Sequence, residues 1–299
     1  MSKIADYAAV ARAQFLLLPV TLVAVGTAAA AYNGGVVVLH VALALVGLVA
    51  LHVAVNALNE ASDMKTGIDL HTTRTPFSGG SGTLPSGLLP RSAAVSVGIA
   101  GAAIGLAIGV FFVMRIGWPL MPFLILGGIA VLAYTDLLAR LGIGEVCAGL
   151  GLGLLPVLGT ALVQKGTIGS AAWGAGIPAF FMTFNLLLLN EFPDEDADRA
   201  GGRRNLVLML GRRTAAWIYA AVAVATPLAI VAAVATQALP TLAAVAILPF
   251  RFSVPAVQWA TTRSHEPVPI PAMAGNVTWN LATNSVLAIA LGLATYLGW

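Results

Sequence analysis

Val36–Leu58 reads VVVLHVALALVGLVALHVAVNAL and runs without a break into Asn59-Glu60-Ala61-Ser62-Asp63-Met64-Lys65-Thr66-Gly67-Ile68-Asp69. As a helix rising about 1.5 Å per residue, the first part is long enough to cross the roughly 30 Å hydrocarbon core of a bilayer. The second part sets carboxylates at the end of that almost purely apolar span. The pattern has an echo. A second apolar segment, Ile177–Leu189, closes on Asn190-Glu191-Phe192-Pro193-Asp194-Glu195-Asp196-Ala197-Asp198. Two acidic clusters, each at a helix end in a chain with few charges, point to a metal site at a membrane boundary.

The rest of the composition agrees with a lipid solvent. Of the 299 residues, 59% are hydrophobic and only 9% charged, and the mean hydropathy is +0.92. A soluble domain carries about 25% charged residues. The apolar runs are long and continuous, whereas a membrane β-barrel alternates apolar and polar residues over strands of about ten residues. An all-α, multi-pass membrane protein is therefore expected. The single cysteine, Cys147, excludes an internal disulfide and a thiolate metal cage. No short apolar core followed by a small-residue cleavage site opens the chain, so no cleaved leader is expected. The net charge of +3 reads as loop asymmetry rather than as a nucleic-acid footprint.

Counting apolar stretches of about 20 residues predicts nine transmembrane helices: 13–32, 36–58, 93–114, 117–135, 144–164, 170–190, 213–235, 238–256 and 274–297. Turn signals such as Asn33-Gly34-Gly35 and Gly117-Trp118-Pro119 separate them. The connections after the second, fourth, sixth and eighth helices are charged; the others are short and nearly neutral. With the N-terminus on the charged side, every Lys and Arg except Arg115 and Lys165 falls there, as do all 12 acidic residues. The positive-inside rule makes that side cytoplasmic, in what is expected to be a bacterial inner membrane. The chain reads as one domain, 1–299, with no appended soluble unit.

Within the clusters, Asn59 and Asp63 share one face if the helix continues past Leu58, and Asn56 lies a turn earlier. Asn190, Asp194 and Asp198 repeat at the same spacing, with Pro193 expected to kink their helix rather than abolish it. Aspartates of this kind suit Mg²⁺, which takes one or two carboxylates and completes its shell with phosphate oxygens. Two facing clusters can therefore hold ions around a diphosphate. Solvated loop charges are the bland alternative, and one cluster alone would favour it. Lys65, Arg74, Arg199, Arg203 and Arg204 flank the clusters and Arg12 precedes the first helix. They read either as phosphate contacts or as topology signals. The glycine-rich stretch Thr75–Gly87 lacks the spacing of a nucleotide loop; it reads as a cap over the site or as a plain connection. His40 and His52, twelve positions apart on the second helix, read as packing or interhelical hydrogen bonds. Asn276, Asn280 and Asn284 form a stripe facing either a neighbouring helix or an acceptor pocket.

These motifs carry a resemblance. The chain is similar to the UbiA superfamily of intramembrane prenyltransferases, and most of all to its 1,4-dihydroxy-2-naphthoate prenyltransferase branch. The first motif of that branch, Asn-Asp-x-x-Asp-x-x-x-Gly-x-Asp, stands here as Asn59-Glu60-x-x-Asp63-x-x-x-Gly67-x-Asp69. Its second stands as Asn190-Glu191-Phe192-Pro193-Asp194, Asp198 and Gly202-Arg203-Arg204-Asn205-Leu206. Gly144-Glu145 and Gly159-Thr160 with Val163-Gln164 also match. Glu60 departs from the usual Asp, Asn205 from the usual Thr, and Asp136-Leu137 from the usual Pro-Pro.

The resemblance implies nine helices in a bundle around a central cavity, capped on the cytoplasmic face by the connections after helices 2 and 6. It implies a Mg²⁺-dependent transfer of an isoprenyl group from a prenyl diphosphate to an aromatic or quinone-precursor acceptor, as in menaquinone synthesis. The metal would rest on Asp63, Asp69, Asp194 and Asp198, with Asn59 and Glu60. Asn190, Lys65, Arg12, Arg74, Arg203 and Arg204 would contact substrate. Tyr134 would face the allylic cation through its ring, or serve only as an interfacial anchor. A terpene cyclase on the same scaffold and an ion-coupled transporter are the rival readings; a transporter usually sets its charges near the bilayer midplane.

Overall fold

The computed structural model describes residues 3–132 and 139–298. An eight-residue helix, α1 (Lys3–Val10), leads in. Eight helices are long and apolar enough to cross a membrane. They are α2 (Ala13–Tyr32), α3 (Val38–Thr66), α4 (Arg91–Ile116), α6 (Gly144–Lys165), α7 (Ser170–Glu191), α9 (Arg212–Ala235), α10 (Thr241–Thr262) and α11 (Ile270–Leu297). A shorter apolar helix, α5 (Trp118–Leu132), stands where the sequence predicts the fourth span; the rest of that span, with Tyr134, lies outside the described residues. A short helix, α8 (Glu195–Ala200), carries Glu195, Asp196 and Asp198 of the second acidic cluster. Among the described residues there is no strand.

The bundle is held by small-residue contacts and by apolar cores, two of them larger than the rest. Gly98, Gly101 and Gly105 line the face of α4 that lies on α3; a Cβ at Gly101 would stand 2.5 Å from the Ala50 carbonyl oxygen. Such close approach is what small residues allow where lipid removes the hydrophobic drive between helices. Leu22, Val25, Val157, Leu158, Leu287 and Leu291 pack one core among α2, α6 and α11. Leu188, Phe192, Tyr219, Trp259 and Trp279 pack the other among α7, α9, α10 and α11. Leu39, Ile99, Met114, Leu228, Leu248 and Ile289 are exposed on the outside, as expected of a surface solvated by acyl chains.

Three elements differ from their sequence reading. α3 runs on to Thr66, ending at Gly67 with φ +81°, so Asn59 and Asp63 are helical. α7 stops at Glu191 and α8 starts afresh at Glu195. Pro193 therefore breaks the helix instead of kinking it: it has no N–H to donate and its ring crowds the carbonyl four residues back. α10 extends to Thr262 and begins as a 3₁₀ helix over Thr241–Ser253, with Pro249 inside that run and Pro255 in the first turn of the α-helical part, where a missing N–H costs nothing.

α6 contains a π turn at Leu150–Leu154, a local widening often found beside functional sites. Gly153 within it lets α7 approach closely, since a Cβ there would lie 2.6 Å from the Ala179 carbonyl oxygen. His40 on α3 donates through Nδ1 to the Val163 carbonyl at 2.6 Å, an interhelical bond. Asn276, Asn280 and Asn284 are buried against neighbouring helices: Tyr219 donates to Asn276 at 3.0 Å, and Asn276 donates to the Asn185 carbonyl at 3.2 Å. None of the three lines the cavity described next.

Candidate active site

The start of α2, the end of α3 and the end of α7 meet at one end of the bundle, around the mouth of a cavity that reaches down between α3, α5, α6 and α7. Asn59, Asp63, Asp69, Asn190, Asp194 and Asp198 all line it. The two clusters are far apart in sequence, and the fold brings them face to face.

Arg203 joins them. Its Nη2 donates to the Asn59 side-chain oxygen at 3.0 Å and pairs with Asp63, while its Nη1 donates to Asp198 at 3.1 Å. Asn59 in turn donates to the other oxygen of Asp63 at 2.8 Å. Asn205 donates to the second oxygen of Asp198 at 3.0 Å and accepts the backbone N–H of Leu208 at 2.9 Å. It thus caps the turn Leu206–Leu210 and aims Asp198 at once. The departure from Thr at this position is accommodated by a longer side chain doing both tasks.

The glycine-rich connection folds over this mouth. Thr72 donates to Asp194 at 2.7 Å, and Gly80, at φ +73°, sits so close to Asp69 that a Cβ would stand 2.6 Å from its Oδ1. Phe77, Ser78, Gly79 and Gly80 form part of the cavity wall. Glu60 pins the far end of this loop. Its Oε1 accepts from Arg12 at 3.0 Å and from the Ser81 backbone at 2.7 Å, and its Oε2 accepts from the Ser81 hydroxyl at 2.8 Å. Glu60 is fully buried and does not line the cavity. Its place among the expected metal ligands is therefore replaced by a structural one: both oxygens are spent on the loop.

The cations sort in the same way. Arg203, Arg12 and Arg204 line the cavity; Lys65 and Arg74 are exposed outside it. Arg74 instead donates to the Asp69 backbone carbonyl at 3.1 Å. Thr72 and Ser81 carry no spacing signal in the sequence, and Asn205, Glu145 and Glu191 stand there only as motif positions with no role of their own. Glu191 lines the cavity, and the buried Glu145 accepts the Leu206 N–H at 2.6 Å.

The electrostatics of the mouth favour a cation. Burial, with the negative charges of Asp63 and Asp69's other neighbour Glu60, pushes Asp69 up to about 7. Burial likewise pushes Asp198 to about 6 against the pull of Arg203, and raises Asp194. The Oδ2 of Asp69 is buried with no hydrogen-bond partner, an expensive state for a carboxylate oxygen. Among the described residues, no three acidic, histidine or cysteine groups converge on a single ion position. The donors present are hard carboxylate and amide oxygens, one or two per position, with room for oxygens from a ligand. That set fits Mg²⁺ shared with a phosphate.

Residues 17–282 match the model of the UbiA prenyltransferase family. The chain belongs to this family. The UbiA chain is similar to the 1,4-dihydroxy-2-naphthoate octaprenyltransferase of Bacillus subtilis (strain 168), 26% identical over 180 residues. That match spans 57% of this chain and 55%, about half, of the curated relative's length. Its fold is shared with a UbiA homologue from Aeropyrum pernix K1 (TM-score 0.68, 18% identity, 95% of this chain and 98% of that one). It is shared as well with a UbiA homologue from Archaeoglobus fulgidus solved bound to DMAPP and Mg²⁺ (TM-score 0.65, 16% identity, 97% and 98%). The UbiA fold accounts for the meeting of two acidic clusters above one intramembrane cavity.

Proposed function

We propose that the protein transfers an isoprenyl group from a prenyl diphosphate to an aromatic or quinone-precursor acceptor inside the membrane. The observation that carries this reading is the facing of Asp63 and Asp69 with Asp194 and Asp198 across one cavity whose deeper walls are apolar. Leu48, Leu51, Val55, Ala130 and Leu152 supply that apolar wall. A diphosphate has its natural place at the charged mouth and a prenyl chain below it.

Asp63, Asp69, Asp194 and Asp198 would hold Mg²⁺, with Asn59 beside them. When bound, the metal supplies neutralising charge to the departing diphosphate. Arg203 and Arg12, both at the mouth, hold phosphate oxygens. The C1–O bond of the donor breaks with its electron pair leaving on the diphosphate. A ring carbon of the acceptor then bonds to C1, and the ring gives up a proton or a carboxyl group to restore its aromaticity. The walls exclude water, which would otherwise capture the allylic cation. The loop pinned by Glu60 and Thr72 closes the mouth. Similarity to the Bacillus subtilis enzyme supports a dihydroxynaphthoate acceptor, and the Archaeoglobus fulgidus complex supports the donor class and the metal. The charge asymmetry supports a cytoplasmic mouth in a bacterial inner membrane.

The test is diphosphate release from geranylgeranyl diphosphate by the purified protein with 1,4-dihydroxy-2-naphthoate. Release is expected to require Mg²⁺ and to fall by at least about 100-fold in Asp63→Ala, on the scale of losing a charge-stabilising group. Release that ignores both Mg²⁺ and Asp63 would sink the reading. Release without a prenylated acceptor would favour a cyclase.

A further inference from the structure

The cavity below the acidic mouth is walled off on one side and adjoined by a second cavity on another. Among the described residues, none of its lining comes from α9, α10 or α11. On that side Leu22 and Val25 of α2 are packed in one core with Leu287 and Leu291 of α11. On the side of α3, α5 and α6, Leu48, Leu51, Gly127 and Gly151 stand in the walls of both cavities. The second cavity, about 160 Å³, lies between α3, α4, α5 and α6, with Ile108, Phe112, Leu124 and Val163 on its walls. Among the described residues, Thr160 is its single polar lining residue. An apolar space of this kind stays dry and takes a hydrocarbon.

Of the shared wall residues, Gly127 on α5 has neither a side chain nor a close neighbour: a Cβ there would meet no heavy atom within 4 Å. The other shared glycine is filled, since a Cβ at Gly151 would stand 2.9 Å from the Ala130 Cβ. The depth of this wall matters. Leu51 and Leu48 stand about 12 and 16 Å below Asn59 along α3, at 1.5 Å per residue. At the roughly 1.2 Å per bond of a fully extended chain, a geranyl tail ends short of that level, at about 9 Å, and a geranylgeranyl tail passes it, at about 19 Å. We propose that the gap at Gly127 joins the two cavities and makes this residue a determinant of donor length. The distal isoprene units of a long donor pass Gly127 and occupy the second cavity. This rests on the prenyl-transfer reading and deepens it: the donor class is a prenyl diphosphate longer than geranyl, and its tail lies toward α4 and α5 rather than toward α11.

The experiment measures Mg²⁺-dependent diphosphate release from geranyl and from geranylgeranyl diphosphate, with 1,4-dihydroxy-2-naphthoate present. The readout is the ratio of kcat/KM for the long donor over the short one within one preparation, which is independent of the fraction of protein that is folded. Gly127→Leu is expected to lower this ratio by at least about 10-fold, the discrimination that a small change of volume makes in an apolar pocket. Gly127→Ala adds a methyl that meets no atom of the protein and favours the helix; it is expected to move the ratio in the same direction by less. Gly128→Leu is the control. A Cβ at Gly128 also meets nothing within 4 Å, but Gly128 lines neither cavity, and the parent ratio is expected. An unchanged ratio in the Gly127 variants overturns the proposal and leaves the second cavity to an acyl chain of the bilayer. An equal fall in Gly128→Leu overturns it too, as does a parent that turns over geranyl but not geranylgeranyl diphosphate. A parent that turns over neither donor overturns the prenyl-transfer reading itself.

Discussion

At the scale of single residues, Arg203 is the most consequential side chain. It touches Asn59, Asp63 and Asp198 together. Without it, Asp63 and Asp198 would be buried carboxylates, 4% and 2% exposed, with a shared cation removed. Breaking a buried ion pair from one side costs about 3–5 kcal/mol. Arg203→Ala is therefore expected to melt well below the parent in metal-free detergent solution. Millimolar Mg²⁺ is expected to recover more of the melting temperature in the variant than it adds to the parent, because the vacated charge then has a substitute. Equal Mg²⁺ shifts in both would mean that Arg203 and the metal do not share these carboxylates. The charge pattern alone did not show this, because the positive-inside rule demands arginines after the sixth span whatever they do; only the motif resemblance set Arg203 and Arg204 apart from Arg199. The carboxylate pairing was not readable from either: the tertiary contact across 140 residues supplies it, while Arg199 makes an ordinary surface pair with Glu195.

At the scale of elements, the loop over the mouth can be tested through two of its glycines. Gly80 and Gly87 both sit at φ +73°, but a Cβ at Gly80 meets Asp69 while one at Gly87 meets nothing within 4 Å. Alanine at either pays the same left-handed backbone penalty, about 1–2 kcal/mol. Gly87→Ala should therefore lose stability alone. Gly80→Ala should in addition displace Asp69, raising the Mg²⁺ concentration needed for half-maximal turnover by about 10-fold, the equivalent of one lost ligand contact. A Mg²⁺ titration of both variants decides it; matching curves would place Asp69 outside the metal site. The helices themselves were largely legible. The continuation of α3 to Thr66 was left open by the sequence: the four-residue spacing of Asn59 and Asp63 fits it, but the apolar run that marks the span ends at Leu58. The break at Pro193 was not legible, since proline near a helix end is compatible with either a kink or a stop. The 3₁₀ winding of Thr241–Ser253 was equally silent: periodicities of 3.0 and 3.6 are hard to tell apart in a segment that is apolar on most sides.

At the scale of the whole molecule, the distribution of charge and the arrangement of helices agree without having been derived from each other. Arg12, Glu60, Asp63, Asp194 and Arg203 gather at one end of the bundle. Lys165 lies at the other, against the Gly34–Gly35 turn, and Gly166 there packs on Ile116 beside Arg115. The two cations that break the sequence asymmetry thus stand together on the opposite face. This makes the orientation a sharp question. With Cys147 replaced by alanine, Lys65→Cys and Arg115→Cys each introduce a single thiol at opposite ends. A membrane-impermeant maleimide added to intact cells is expected to label position 115 and to spare position 65, which labels only after the membrane is opened. The reverse pattern would put the acidic mouth outside, away from any cytoplasmic pool of prenyl diphosphate, and would overturn the functional reading together with the topology. The expected pattern does more than fix a direction. It obliges the charged head of the donor to enter from the cytoplasm, since the carboxylates and arginines that would receive it line the cavity at that end.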